Sequence, residues 1–147
     1  MGCQVASLAT FARLRKLQPA VLLVNRREGR VSGLVATLLL TPGAIERLLE
    51  GRFDGLSPQD EDLSAPDAPA AAYYIWGVAG RTRLARWSAM ELCKRLRYQA
   101  LPDLTAFMKA ATPEGRRAGI DRLGFVPVGH ADERLFVSLP MLERQAA

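Results

Sequence analysis

Hydrophobic and polar positions change rhythm several times along the chain, and each change marks a predicted element. Within residues 5–17, Leu8, Phe11, Ala12 and Arg15 share one stripe at helical spacing, and Pro19 ends the helix they predict. Residues 20–25 and 31–41 are two apolar runs rich in leucine and β-branched residues, separated by Arg26, Arg27, Glu28, Gly29 and Arg30. That arrangement predicts a hairpin with Gly29 supplying the turn. Thr41 can cap a helix and Pro42 suits its first position, so residues 43–50 form a short helix closing at Gly51. The strongest strand signal is residues 70–78, where Tyr73, Tyr74, Ile75, Trp76 and Val78 are apolar on both faces and predict a central strand.

Residues 83–98 follow as a helix with Ala85, Ala89, Leu92 and Leu96 as its buried stripe. Pro102 interrupts, and residues 104–110 make a short strand. Thr112, Pro113 and Glu114 are the clearest helix start in the chain: a cap hydroxyl, a proline at the first position and a carboxylate in the first turn. This helix runs to Leu123 and stops at Gly124, which is expected in the left-handed conformation. Residues 125–128 and 134–139 close the fold as strands. The succession predicts an α/β (α+β) fold, a mixed and mostly antiparallel sheet flanked by helices, in one domain over residues 1–147. Residues 54–70 break the pattern. With Pro58, Pro66 and Pro69 and the acids Asp54, Asp60, Glu61, Asp62 and Asp67, they predict a surface loop of unusual length, either functional or a disordered acidic insert.

Composition adds exclusions. A chain of 147 residues with 49% apolar and 24% charged residues supports one real core without staples. Two cysteines, Cys3 and Cys93, and the single His130 give neither a disulfide framework nor a zinc cluster, so reduced thiols and no metal are expected. The most apolar stretch, residues 31–45, is interrupted by Ser32, Gly33, Thr37, Thr41 and Pro42, which predicts no membrane span. Met1, Gly2 and Cys3 open like an acylation signal, but the sixth position is Ala6. No signal-peptide succession is present, and a cytoplasmic location is the expectation.

The net charge of +5 matters through its placement. Lysine occurs only at Lys16, Lys94 and Lys109, an arginine bias that coding composition also produces. Arg81, Arg83, Arg86, Lys94, Arg95 and Arg97 form one concentrated group opposed locally by Glu91 alone. Such a cluster attracts phosphates, and a solvated helix face is the alternative reading. Aromatic residues are not interleaved with these arginines and no reader motif is present, which argues against nucleic-acid binding.

Residues 110–129 contain Thr112, Pro113, Leu123, Gly124, Phe125, Val128 and Gly129 in an order that resembles the C-terminal motif of the GNAT superfamily of N-acetyltransferases. There a strand leads into a short helix ending in Leu-Gly-Phe, followed by a strand ending in Val-Gly. Residues 73–96 occupy the place of that family's acyl-coenzyme A element, and the likeness spans about residues 20–139. The resemblance implies that a central strand splays from its neighbour, that Trp76, Val78 and Gly80 lie along the pantetheine arm, and that Arg81, Arg83, Leu84, Ala85 and Arg86 surround the pyrophosphate. Helix-terminal amides and arginine side chains favour phosphate there on general grounds. It further implies acetyl-CoA or another acyl-CoA as co-substrate, an amine acceptor, and N-acyltransferase activity. Two positions depart from the family's pattern. The turn has leucine or arginine where small residues belong, and counting back five residues from Phe125 gives Ile120 where many members carry a proton-donating tyrosine. The alternative is therefore a GNAT-like binding or regulatory module without turnover.

Single residues leave further alternatives. Tyr74, with Tyr73, is a candidate acid or acceptor-orienting group or a packed core tyrosine. Glu61 or Asp62 attracts a cationic amine or is a solvated bystander; His130 is a general base or a surface residue. Cys93 reads as a packed thiol, and Thr82 and Ser88 as phosphate contacts or helix caps. The aromatic-rich sheet leaves homodimer pairing open.

Overall fold

The computed structural model describes residues 5–19, 22–129 and 132–140. Cys3 and His130 lie outside the described residues. Helix α1 (Leu8–Leu17) is capped by Ser7, whose Oγ accepts the Thr10 amide at 3.0 Å. Strands β1 (Leu22–Arg27) and β2 (Arg30–Leu40) form the expected hairpin, with Glu28 and Gly29 at φ 52° and 74° making a two-residue turn whose left-handed pair matches strand twist. Helix α2 (Pro42–Leu49) starts where Thr41 and Pro42 predict it. Strand β3 (Ala72–Gly80) leads through Thr82 into helix α3 (Arg83–Arg95). Strand β4 (Thr105–Lys109), helix α4 (Pro113–Leu123) and strands β5 (Val126–Pro127) and β6 (Leu135–Ser138) complete the chain. Gly124 ends α4 at φ 68° and ψ 31°, the left-handed conformation expected of it.

The protein is a mixed α/β fold with a six-stranded sheet in the order β1-β2-β3-β4-β6-β5. Every neighbouring pair is antiparallel except β3 and β4, which α3 connects as the crossover that parallel strands require. Helices cover both faces. On one, Leu14 of α1 and Ala44 and Leu48 of α2 pack on Leu38, Leu40, Tyr74 and Phe107. On the other, Ala89 and Cys93 of α3 and Leu123 beyond them pack on Val35, Tyr73, Ile75 and Ala106. No helix among the described residues is long and apolar enough to cross a membrane.

Three features differ from the sequence expectation. The buried stripe of α3 runs through Ala85, Ala89 and Cys93, with Leu92 only half-buried. Helix α3 then widens into a π turn over Leu96–Ala100, and Arg97, expected in the basic surface cluster, is 1% exposed. Its guanidinium donates to Ser138 Oγ (3.2 Å), to the Leu104 carbonyl (3.2 Å) and to the Leu139 carbonyl. Third, residues 54–70 form the expected surface loop, mostly exposed, but it is anchored to the fold at several buried points. Phe53 and Pro58 are buried, Arg13 bonds Asp60, and Arg47 bonds the nearly inaccessible Asp62, which also accepts the Gln59 amide at 2.8 Å.

This segment also closes an edge. Past Ala36, β2 has no β1 partner among the described residues, and there the Gln18 side chain acts as a substitute strand. Its Oε1 accepts the Leu39 amide (2.9 Å), and its Nε2 donates to the carbonyls of Leu39 (2.8 Å) and Ser64 (3.0 Å). The Ser64 amide adds a bond to the Leu39 carbonyl at 2.9 Å, and Leu63 bridges Leu40.

Cys93 is a packed thiol, as its place beside the apolar stripe implies. Burial alone pushes its pKa up to about 12. Because the thiolate is the reactive form, Cys93 in the folded protein is expected to resist alkylation at pH 8 and to label rapidly in denaturant. Peptide mapping after a timed iodoacetamide pulse reads this directly; rapid native labelling of the Cys93 peptide would refute it.

Candidate functional site

The site is built where two parallel strands stop pairing. β3 and β4 are in register from Ala72 with Thr105 to Ile75 with Met108, and then part. β4 continues along β6, pairing Lys109 with Leu135, while β3 stays with β2 as far as Gly80 opposite Gly33. Trp76 is the extra residue at a bulge, because Ala36 faces Gly77 while Thr37 faces Ile75. A bulge bends its strand and increases local twist, which turns the second half of β3 away from β4. The β4-facing backbone groups of residues 76–80 consequently have no strand partner among the described residues, over about 13 Å of chain at strand rise.

A cavity of about 420 Å³ fills the opening. Ile75, Trp76, Val78 and Ala79 line one wall and Met108, Lys109 and Ala111 the other. Phe11 and Leu56 complete it from α1 and the anchored loop. The Trp76 indole stacks on Phe11 with ring centroids 5.6 Å apart, and its Nε1 donates to the Gly55 carbonyl at 2.6 Å. Its orientation is therefore fixed from two sides.

At its far end β3 runs into the start of α3. Thr82 caps the helix, its Oγ accepting the Ala85 amide at 3.1 Å, while the Arg86 amide bonds the Thr82 carbonyl at 2.9 Å. The amides of Arg83 and Leu84 belong to the first turn, which lacks internal acceptors. Arg81, Arg83 and Arg86 are exposed around this turn, and none of them is in an ion pair among the described residues. The turn sits tightly on the sheet because Gly80 and Gly33 lack side chains. A Cβ on Gly80 would lie 2.5 Å from the Arg86 nitrogen, and one on Gly33 would lie 2.7 Å from the Ala85 carbonyl oxygen. Small residues absent from the turn itself are thus supplied by the strands beneath it.

The residues expected to hold a cofactor fall in three places. Trp76 and Val78 line the cavity; Gly80 and Ala85 form the packed junction; Arg81, Arg83, Leu84 and Arg86 are exposed on the turn. Thr82 is a cap, and Ser88 lies one turn further on, half-buried. Of the basic cluster, Arg97 is internal and Lys94 pairs with Glu91 at 2.8 Å.

Tyr74 lies in the core beside the cavity and does not line it. Its ring meets Phe53 edge-on at 5.4 Å, and burial, reinforced by Asp132, holds its phenol far above the usual range. Tyr73 packs on the α3 face. Burial raises its pKa to about 12 although Arg97 is near enough to favour the phenolate, and its Oη makes no well-formed hydrogen bond among the described residues. Both phenols keep their protons across the physiological range. Asp62 serves the packing of its segment, and Glu61 is exposed, 3.7 Å from Arg47. Ile120 is on α4, exposed and outside the lining.

Sequence reasoning did not anticipate Phe11, Leu56, Met108 or Lys109 in the lining. Among the described residues Lys109 brings the only formal charge there, its Nζ held 3.2 Å from Asp132. Burial raises the Asp132 pKa, but the Arg134 amide and side chain and the Lys109 ammonium outweigh it, so this carboxyl titrates below its usual range. Among the described residues no three His, Cys, Asp or Glu side chains are placed to share a metal ion. Comparison of the chain with protein-family models, curated protein sequences and solved structures gives no match.

Proposed function

We propose that the protein binds an acyl-coenzyme A and transfers its acyl group to an amine, as a GNAT-like N-acyltransferase. The observation that supports this reading is the continuity of three features along one strand: the free edge of β3 after Ile75, the bulge at Trp76, and the arginine-flanked start of α3 beyond Gly80. A pantetheine arm is a chain of amides and suits unpaired strand backbone, just as a pyrophosphate suits helix-terminal amides flanked by guanidinium groups. In this arrangement the first turn of α3, with Arg81, Arg83 and Arg86, holds the phosphates. Residues 76–79 align the arm, and the backbone near the bulge polarises the thioester carbonyl. The amine attacks that carbonyl, a C–N bond forms, the C–S bond breaks, and the amine proton ends on the departing sulfur. Positioning the two reactants accounts for most of the acceleration. A cytoplasmic location is part of the proposal.

A second reading, a module that binds the thioester or coenzyme A without turnover, is favoured by the lining itself. Its only titratable side chain among the described residues, Lys109, is tied to Asp132.

Calorimetric titration with acetyl-CoA and with coenzyme A, followed by an amine screen for acylated product, separates the two readings. Product supports the transferase, binding without product supports the module, and no binding refutes both. Replacing Arg81, Arg83 and Arg86 together with alanine is expected to weaken coenzyme A binding at least tenfold and to leave the unfolding midpoint nearly unchanged, because exposed charges contribute little to stability. Unaltered affinity in that variant would remove the phosphate assignment.

A further inference from the structure

The direction of β3 fixes which end of the cavity receives the acyl group. With phosphates at the start of α3 and the arm running back along residues 79 to 76, the thioester arrives at Trp76, where β3 and β4 meet. α3 covers one face of the sheet and Phe11 and Leu56 stand on the other, so whatever extends past Trp76 passes between the strands toward that second face. Among the described residues the side chains waiting there are apolar: the stacked Phe11 and Trp76 rings, Leu56 and Val5, while Ile75 and Met108 close the fork from the α3 face.

Two acids of the nearby segment are engaged elsewhere, and a third, Asp54, accepts the Leu56 and Ser57 amides. Asp60 is bound to Arg13 and Asp62 to Arg47, and no carboxylate lines the cavity among the described residues. The Lys109 ammonium is turned to Asp132. An acetyl group, about twice the ~30 Å³ that one water occupies in the liquid, is too short to cover the apolar surface that Phe11, Leu56 and Val5 present beyond the wall assigned to the arm.

We infer that the protein selects a medium-chain, unbranched acyl thioester over acetyl-CoA, its chain leaving the fork where β3 and β4 part and lying against the Phe11–Trp76 stack and Leu56. This rests on the acyl-coenzyme A reading above. A polar or cationic acyl group would lose its hydration here with no partner to replace it, whereas each methylene removed from water favours binding.

The test is calorimetric titration of the full chain with coenzyme A, acetyl-CoA, hexanoyl-CoA and octanoyl-CoA, all below their micelle concentrations. Affinity is expected to rise with chain length, by up to about fourfold per methylene buried, making octanoyl-CoA at least tenfold tighter than acetyl-CoA. Leu56→Trp, which fills the cavity from a half-exposed position, is expected to cancel that gain. The loss should grow with chain length, and an unchanged circular dichroism melt identifies it as local. Equal affinity for all four ligands overturns the chain preference and leaves coenzyme A binding standing. Chain-length dependence that survives Leu56→Trp overturns the placement of the chain. Absence of binding by all four overturns the acyl-coenzyme A reading itself and the inference with it.

Discussion

Arg97→Leu is expected to lower the unfolding free energy by about 3–5 kcal/mol, enough to bring the thermal midpoint down by about 10 °C or more. The side chain is internal, and its bonds connect three places distant in sequence: the π turn after α3, the Leu104 carbonyl before β4, and Ser138 and Leu139 at the end of β6. Leucine fills part of the volume but leaves two carbonyls and a hydroxyl without this donor, and each such buried orphan costs about 1–3 kcal/mol. Arg97→Lys keeps the charge yet lacks the planar fork that spans the three acceptors, so it is expected to recover less than half of the loss. Urea denaturation of the three proteins, with equal m-values checked, gives the comparison. A leucine variant as stable as the parent would show that the network is incidental to folding.

The second large effect is expected at the junction beneath the candidate site. In Gly80→Val the new Cβ falls 2.5 Å from one backbone atom of α3 and 2.6 Å from another, and backbone cannot rotate aside as a side chain would. Either α3 lifts from the sheet or β3 bends. The expected cost is about 1–3 kcal/mol of stability, together with loss of coenzyme A binding by more than tenfold, because the amides and arginines of the first turn move as one body. Gly77→Ala is the matched control for folding, since a Cβ there meets nothing within 4 Å. A Gly80→Val protein with a parental melt and parental affinity would mean that close packing of this turn has no bearing on the site.

Local chemistry made much of the fold readable. Thr41, Thr82 and Thr112 each accept the amide three residues on, and hydroxyl caps before prolines or arginines are visible in any alignment-free reading. Gly29 and Gly124 likewise sit where only a left-handed backbone completes the turn. Arg97 was misread because a guanidinium beside other arginines reads as surface charge. Yet Ala85, Ala89, Cys93 and Arg97 repeat at intervals of four, and that spacing is the signal for a buried stripe that the choice of Leu92 overrode, while Leu96 is buried as expected. The cavity was illegible for a different reason. Its shape depends on the register at which β4 leaves β3, and Phe11 and Leu56 reach it from segments that no periodicity links to β3. The acidic stretch 54–70 is the surface loop expected of it, but its anchoring was not legible because its pairing partners, Arg13 and Arg47, precede it on two different helices.

The Gln18 side chain and residues 63–64 close the open part of β2, and the outer strands are no better suited to recruitment. β5 is a two-residue strand that includes Pro127, and β1 changes register between Asn25 and Arg26 and ends in two exposed arginines. A sheet grows by adding a neighbour to a long, regular row of backbone donors and acceptors, and these three devices shorten or cover the rows at β1, β2 and β5. Fibrillar stacking of folded copies is thereby discouraged at the backbone level, so the protein can carry an apolar, strand-lined opening at its centre without that opening becoming a seed for self-assembly.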